Sequence, residues 1–152
     1  MIALGCDHGG YNLMVAIKKY LDKNNIEYKD FGTGSTESVD YPVYAYKVAK
    51  AVTEGGCELG ILCCGTGIGI SMAANKVKGV RAAVVNNEFG AEMTRRHNHA
   101  NILCMGGRVI NEDQAVKFTD IFLNTPEEGD RHDKRVAMIT AIENGTFNTN
   151  LK

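Results

Sequence analysis

The chain has 152 residues, of which 44% are hydrophobic and 23% charged, and its formal net charge is −1 at pH 7. This length and composition predict one soluble globular domain with a buried core. The near-neutral charge gives no general reason to expect binding to nucleic acid or to an anionic membrane. No apolar stretch approaches the length of a membrane span, and the N-terminus lacks the basic segment of a signal peptide.

Five cysteines lie at positions 6, 57, 63, 64 and 104. None belongs to a CxxC pair, which argues against a disulfide framework and against a zinc knuckle. Free thiols fit a reducing compartment, so we expect a cytoplasmic protein. Adjacent Cys63 and Cys64 leave a thiol redox protein as an alternative, although adjacent cysteines form strained disulfides. Alternation along a strand would place their side chains on opposite sides, with Cys63 an inert core thiol.

Apolar runs alternate with segments of helical period along the chain. The predicted strands cover residues 2–6, 26–31, 59–64, 80–85 and 102–105. Asn86 or Asn87 is a plausible N-cap, Asn111 with Gln114 resembles a capping box, and Gly145 is predicted to follow the last helix. This alternation predicts a parallel sheet covered by helices on both faces. The predicted domain covers residues 1–145, with a last helix at about 131–144 and a C-terminal tail at 146–152.

The stretch from Ile61 to Ser71 joins the third strand to a helix through three alternate glycines, Gly65, Gly67 and Gly69. Such a turn directs backbone N–H groups outward, where they can bind an anion or a developing oxyanion. Cys64 beside these amides is a candidate base or nucleophile if they stabilise its thiolate. The spacing matches neither GxGxxG nor a Walker A loop, so a nucleotide site is only weakly indicated.

Polar residues collect where the predicted strands end. Asp7-His8 follows the first strand, Cys64-Gly65-Thr66 the third, and Gly106-Gly107-Arg108 the fifth. Ligands of open α/β sheets bind beyond the carboxyl ends of the strands, at a topological switch point. The loops predicted at the opposite end, at residues 24–25, 55–56 and 76–79, hold no comparable set. We therefore expect the site at the carboxyl ends of the strands.

Two further segments carry titratable or charged side chains. His97-Asn98-His99 precedes the fifth strand and has no carboxylate or thiol beside it at metal-ligand spacing, so zinc is not favoured. Arg131 and Arg135 lie four residues apart on one face of the last helix. This pair is either a solvated charged face or a phosphate clamp, because guanidinium groups match phosphate oxygens.

Five segments that occur in one order together resemble the ribose-5-phosphate isomerase type B family, which also holds the galactose-6-phosphate isomerase subunits. They are Gly5-Cys6-Asp7-His8-Gly9-Gly10, Asp40-Tyr41-Pro42, Cys64 to Lys76, Arg96-His97-Asn98 and Gly129-Asp130-Arg131-His132. The likeness runs from Ile2 to about Glu143. It implies a three-layer α/β/α sandwich with five parallel strands in the order 2-1-3-5-4. It also implies an isomerase without metal or cofactor that interconverts ribose 5-phosphate and ribulose 5-phosphate.

The resemblance further implies roles for individual residues. Cys64 matches the base that takes the C2 proton and returns it at C1, and His97 matches a residue that helps to open the sugar ring. Asp7 and Thr66 match polar partners of the sugar oxygens. Backbone amides that match those stabilising the cis-enediolate belong to Gly65, Thr66, Gly67, Ile68 and Gly69. Substrate and phosphate contacts are matched by His8, Asn98, Arg108, Arg131 and Arg135.

Some family members use a glutamate four residues after the threonine position in place of the cysteine. That position is Ile70 here, so the chain resembles the cysteine branch. The resemblance implies a homodimer with each site assembled from both subunits, and a dimer of dimers is left open. An allose- or galactose-6-phosphate isomerase is an alternative that needs only a different pocket depth. A non-catalytic phosphosugar-binding module could use the same amides.

Overall fold

The computed structural model describes residues 1–150 and contains one sheet of five parallel strands. The strands are β1 (Ile2–Cys6), β2 (Tyr28–Asp30), β3 (Leu59–Cys64), β4 (Ala82–Val84) and β5 (Ile102–Gly106). The helices are α1 (Tyr11–Lys23), α2 (Tyr41–Thr53), α3 (Ile68–Ala74), α4 (Glu88–Arg96), α5 (Glu112–Asn124) and α6 (Arg131–Glu143). The strand order β2-β1-β3-β5-β4 confirms the predicted fold class and topology. Residues 151 and 152 of the predicted tail lie outside the described residues.

Side chains of the central strands alternate between two cores, one on each face of the sheet. Leu4 and Cys63 belong to the core beneath α1 and α5, whereas Ala3 and Leu62 belong to the core beneath α2 and α3. β1 and β5 are buried along their whole length, as expected for parallel strands covered on both faces. The sheet is therefore the middle layer of three.

Strands β2 and β4 are shorter than the apolar runs that predicted them. Both lie at an edge of the sheet and pair on one side only, β2 with β1 and β4 with β5. Ile26 and Val80, which flank these strands, still pack into the cores. An apolar run in the sequence predicts which residues are buried, and at these two edges the buried residues extend beyond those that pair in the sheet.

Side-chain caps determine where two helices begin. The Asn111 side chain accepts a hydrogen bond from the Gln114 amide at 2.9 Å, and the Gln114 side chain accepts one from the Asn111 amide at 3.0 Å. This reciprocal pair is the predicted capping box at the start of α5. Asn87 caps α4 by accepting from the amide of Gly90 at 2.7 Å.

Helix α6 differs from the other helices because it buries little of its own surface. His132 is its one buried residue among those described. Ile139 is 47% exposed and Ile142 60% exposed, although both are apolar. Gly145, with φ of 69°, follows the C-cap of α6 as predicted. No helix within residues 1–150 has the length and apolar character needed to span a bilayer.

Candidate active site

Cys64 ends β3, and a turn amide is directed at its sulfur. The N–H of Gly67 donates to Cys64 Sγ over 3.1 Å. Gly67 has φ of 77°, and a Cβ added to it would lie 2.9 Å from the carbonyl carbon of Met105. Because only glycine fits both this left-handed backbone and this close approach to β5, the turn itself positions the amide against the thiol.

Two other positions of the turn have close neighbours. The amide of Ile68 donates to Thr66 Oγ1 at 3.2 Å. A Cβ on Gly69 would lie 2.7 Å from the ring of Tyr41, the first residue of α2. No pattern in the sequence singles out Tyr41 as a residue of the site. Its only signal is its place in the segment Asp40-Tyr41-Pro42.

The loop after β1 contributes two polar side chains with defined orientation. Asp7 is 6% exposed, and its Oδ1 accepts hydrogen bonds from the amides of Gly9 at 2.8 Å and Gly10 at 3.1 Å. His8 Nδ1 accepts from the amide of Val39 at 3.2 Å. A neutral His8 ring therefore carries its proton on Nε2, which leaves that atom as a donor.

The loop after β5 closes the same region. The amide of Gly107 donates to the carbonyl of Cys64 at 2.8 Å, and the amide of Arg108 donates to the carbonyl of Gly65 at 2.9 Å. A Cβ on Gly65 would lie 3.1 Å from Arg108 Nη1, so the guanidinium covers the turn. The loops after β1, β3 and β5 thus meet at one edge of the sheet. We call Asp7, His8, Cys64, Thr66 and Arg108 the strand-end cluster.

The other cysteines of the central strands are buried thiols that stay protonated and unreactive. Burial raises the pKa of the Cys6 thiol to about 12, and it also raises the pKa values of Cys63 and Cys104. Cys63 and Cys64 belong to the cores on opposite faces of the sheet. Because the two side chains lie on opposite faces of the sheet, a disulfide between them would require the backbone of β3 to rearrange. This disfavours the thiol redox alternative.

The structure does not place His97, Asn98, Arg131 and Arg135 beside Cys64. Helix α4 runs back along the parallel sheet, so His97, its C-cap, lies at the amino ends of the strands. Cys64 pairs with Gly106 at the end of β5, whereas the chain from His97 enters β5 at Ile102. Five strand residues span roughly 15 Å. One chain therefore holds two separate polar clusters.

The second group, which we call the helix-end cluster, consists of His97, Glu128, Arg131 and His132. The rings of His97 and His132 stack with centroids 4.1 Å apart and planes within 4°. The Nε2 atom of each ring lies 3.9 Å from an oxygen of Glu128. His132 is 4% exposed, and its Nε2 has no hydrogen-bond partner among residues 1–150. Burial, together with the nearby His97, lowers the pKa of His132.

The helix-end cluster gives the amino ends of the strands a polar set, which lies outside the three loops predicted there at residues 24–25, 55–56 and 76–79. A backbone hydrogen bond joins the loop after α5 to the end of α4, because the amide of Glu128 donates to the carbonyl of Arg96 at 2.9 Å. His99 Nε2 lies 3.0 Å from the carbonyl oxygen of Glu128, and Arg81 Nε donates to the carbonyl of Asn98 at 3.2 Å. These partners are far apart in sequence, so local spacing does not reveal them. Arg131 and Arg135 are exposed on α6.

Comparison with known proteins decides the family. The family model described as Ribose/Galactose Isomerase matches residues 2–139. The chain belongs to this family. Within the family, it is 47% identical to ribose-5-phosphate isomerase B of Escherichia coli (strain K12) over 142 residues, which cover 93% of this chain and 95% of that relative.

Solved structures agree with the family assignment. The structure of Clostridium thermocellum ribose-5-phosphate isomerase B matches with a TM-score of 0.93 at 51% identity, covering 95% of this chain and 97% of that one. A Mycoplasma genitalium ribose-5-phosphate isomerase B with bound ribulose-5-phosphate matches with a TM-score of 0.89 at 39% identity, covering 94% and 95%. These matches confirm the resemblance found from the sequence.

Proposed function

We propose that this chain is an aldose–ketose isomerase that interconverts ribose 5-phosphate and ribulose 5-phosphate. The observation that carries the proposal is the thiol of Cys64, which receives the Gly67 amide at the carboxyl edge of the sheet. The ribose/galactose isomerase family contains relatives named for this reaction. One similar structure is described with bound ribulose-5-phosphate.

In the proposed reaction, Cys64 is the base that moves a proton between two carbons. Its thiolate takes the C2 proton of the open-chain aldose, and the electron pair shifts to leave a cis-enediolate. The resulting thiol returns that proton to C1, while the O2 proton passes to O1 and C2 becomes the carbonyl carbon. An N–H donor directed at Sγ supports the thiolate form, because hydrogen bonding to a charged acceptor stabilises it.

A base alone is insufficient, because a sugar C–H is a very weak acid. We assign stabilisation of the enediolate oxygen to the turn amides from Gly65 to Gly69. Losing one such preorganised donor typically costs about 3 kcal/mol of transition-state stabilisation. Asp7 and Thr66 are assigned to the sugar oxygens. Asp7 is already held in one orientation by the amides of Gly9 and Gly10, so it loses little freedom on binding.

We further propose a homodimer in which each site uses both clusters. The two clusters of one chain lie at opposite ends of the sheet, so a second copy must supply the helix-end cluster to the first copy's Cys64. Exposed apolar side chains beside the turn support such an association, since Ile68 is 49% exposed and Met72 62% exposed. Contiguous apolar surface of this kind marks protein–protein contacts.

In this arrangement, His97 of the second copy assists opening of the furanose ring. Arg131 and Arg135 of the same copy bind the phosphate, with Asn98 nearby, and Arg108 and His8 bind from the first copy. Phosphate held away from the reacting carbons contributes binding energy that orients them. The five free thiols fit a reducing compartment, and we propose the cytoplasm. We also propose residues 1–145 as one domain, with 146–152 as its tail.

Replacing Cys64 tests the chemistry directly. Cys64→Ala should lower kcat on ribose 5-phosphate by about 10²–10⁴-fold, the usual contribution of a positioned general base. Cys57→Ala, which removes a buried thiol outside both clusters, is the matched control and should keep most of the activity. Circular dichroism checks that both variants fold. Unchanged isomerisation by Cys64→Ala would reject the assignment.

The same variant separates catalysis from simple binding. A non-catalytic phosphosugar-binding module would show no isomerisation in the native protein and full ligand affinity after Cys64→Ala. Side-by-side kcat/KM values for ribose 5-phosphate and allose 6-phosphate separate the pentose isomerase from the hexose alternative. We expect ribose 5-phosphate to be the better substrate. A preference for allose 6-phosphate would move the chain to the other branch of the family.

A further inference from the structure

The helix-end cluster also has the composition of a metal site. We infer that His97, Glu128 and His132 bind a divalent transition-metal ion of the Zn²⁺ or Co²⁺ type. Their three ligand atoms all lie within 4.8 Å of one another. Imidazole nitrogen together with carboxylate oxygen is a donor set that such ions accept, and three protein ligands leave further positions for water.

The buried nitrogen of His132 is a second, independent sign of a ligand. His132 is 4% exposed, and within the described part of the chain its Nε2 lacks a hydrogen-bond partner. A buried polar atom of this kind calls for an explanation, and one is an ion that uses its lone pair. The side chain of His97 is 35% exposed, so the cluster is open to solvent on that side.

Binding requires the two imidazole rings to leave their parallel stack. Ligands about 2.0–2.2 Å from a tetrahedral Zn²⁺ lie roughly 3.3 Å from one another. His97 Nε2 lies 3.9 Å from Glu128 Oε2, His132 Nε2 lies 3.9 Å from Glu128 Oε1, and the three ligand atoms all lie within 4.8 Å of one another. These separations must close by about 0.5–1.5 Å to reach the tetrahedral spacing. The stacked rings are parallel within 4° and must tilt until both lone pairs converge.

Neighbouring charges moderate the affinity. Arg96 Nε contacts the Oε2 atom of Glu128 at 3.2 Å, and Arg131 lies next to His132 in sequence. Both guanidinium groups repel a cation, so we expect a site that fills when metal is added and empties with a chelator. If His97 opens the sugar ring, the filled site inhibits the isomerase. This consequence, unlike binding itself, rests on the proposed function.

Titration of the chelator-treated full chain with Co²⁺ tests the inference, because the absorption spectrum of Co²⁺ reports its ligands. We expect one ion per chain, with visible bands typical of nitrogen and oxygen ligands and without the sulfur-to-cobalt charge-transfer band of a thiolate. Glu128→Gln and His132→Asn should each weaken binding at least about 10-fold, since even outer-shell partners contribute 10–100-fold to metal affinity. Glu127→Gln is the matched control, because Glu127 contacts Arg95 and His99 instead of the stacked pair.

Three results would overturn the inference: a thiolate band that persists in Cys64→Ala, equal Co²⁺ affinity in the native chain and Glu128→Gln, or no binding below millimolar Co²⁺. If His132→Asn fails to fold, Glu128→Gln alone is sufficient for the test, because the Glu128 side chain is 40% exposed and its replacement should not disturb folding. The readout is binding, so a negative result leaves the isomerase proposal to the Cys64→Ala experiment. Loss of isomerisation in Cys64→Ala together with unchanged Co²⁺ binding would separate the two clusters experimentally.

Discussion

The two polar clusters are built by different means. In the strand-end cluster, the backbone holds the functional groups: Gly67 and Gly69 have no room for a Cβ, and the Asp7 carboxylate is held by two amides. In the helix-end cluster, side chains from α4, the loop after α5 and α6 hold one another through stacking and ion pairs around Glu128. The first arrangement is rigid within one chain, whereas the second depends on how α6 is held.

This difference suggests a division of work. Proton transfer needs groups fixed to a fraction of an ångström, and tight turns at strand ends supply that. Recognition of a phosphate, the role proposed for Arg131 and Arg135, tolerates longer and more adaptable side chains. If the clusters meet only across two copies, each copy supplies a rigid half and an adaptable half.

The largest expected effect comes from mixing two inactive variants. Cys64→Ala and His97→Asn homodimers should each lose about 10²–10⁴-fold in kcat. After unfolding and refolding together, half of the dimers carry both variants, and each has one intact site. We expect recovery to about a quarter of native activity, because the two-fold symmetry places both changes in the same second site. Activity that stays at the level of the single variants would show that Cys64 and His97 of each site come from the same chain, which would contradict the proposed dimer.

Removing one arginine of α6 should have a smaller, substrate-selective effect. Arg135→Ala should raise KM for ribose 5-phosphate about 10–100-fold, because a charge-assisted hydrogen bond contributes roughly 1.5–3 kcal/mol. Activity on unphosphorylated ribose should change little. Lys134→Ala removes an exposed cation from the neighbouring position and serves as control. If Arg135→Ala impaired the reactions of ribose 5-phosphate and of ribose equally, the assignment of Arg135 to phosphate binding would be rejected.

A glycine substitution tests the rigid half on its own. Gly67→Ala forces a left-handed backbone on alanine, which costs about 1–2 kcal/mol, and it brings Cβ against Met105. We expect Tm to fall by roughly 3–8 °C in calorimetry. Gly34→Ala is the control, since a Cβ there would meet no described residue within 4 Å. Equal Tm values for the two variants would contradict the account of the turn.

The smallest effect concerns pH and the adaptable half. Burial lowers the pKa of His132 below its ordinary value near 6.5, and His97 and Arg131 act in the same direction. As pH falls, His132 therefore takes up a proton in the unfolded chain at a higher pH than in the folded chain. Its contribution to the free energy of unfolding is retained above about pH 6.5 and is lost as pH falls below that value. His132→Gln should flatten the fall of Tm between pH 7.5 and 5.5. A steeper fall in the variant would reverse the assigned sign.

Much of the fold was accessible from sequence because its signals are local. The Asn111–Gln114 capping box, the alternation of strands and helices, and the placing of Cys63 and Cys64 in opposite cores all depend on neighbours along the chain. The lengths of β2 and β4 were overestimated because apolar runs continue past the paired residues. The length of an edge strand depends on how far it pairs with its one neighbouring strand, and the composition of the segment does not determine this length.

The strand-end cluster was predictable for a related reason, since parallel strands bring their carboxyl ends together. The partnership of His97 with Glu128 and His132 was not, because it depends on how the loop after α5 returns to α4. The Glu128 amide donates to the Arg96 carbonyl, and Arg96 and His99 also contact Glu128 through their side chains. No periodicity or spacing records such a contact. A carboxylate that is close to His97 in space was therefore not visible as one close in sequence.

The sparse burial of α6 links its order to protein concentration. With His132 as its one buried residue among those described, this helix gains little free energy from its own chain. Docking against a second copy would supply the rest by mass action, so dilution should loosen α6 before it unfolds the sheet. Amide exchange in α6 would then speed up on dilution while exchange in β3 stays slow. The phosphate affinity of the enzyme would, in that case, be set partly by how much enzyme is present.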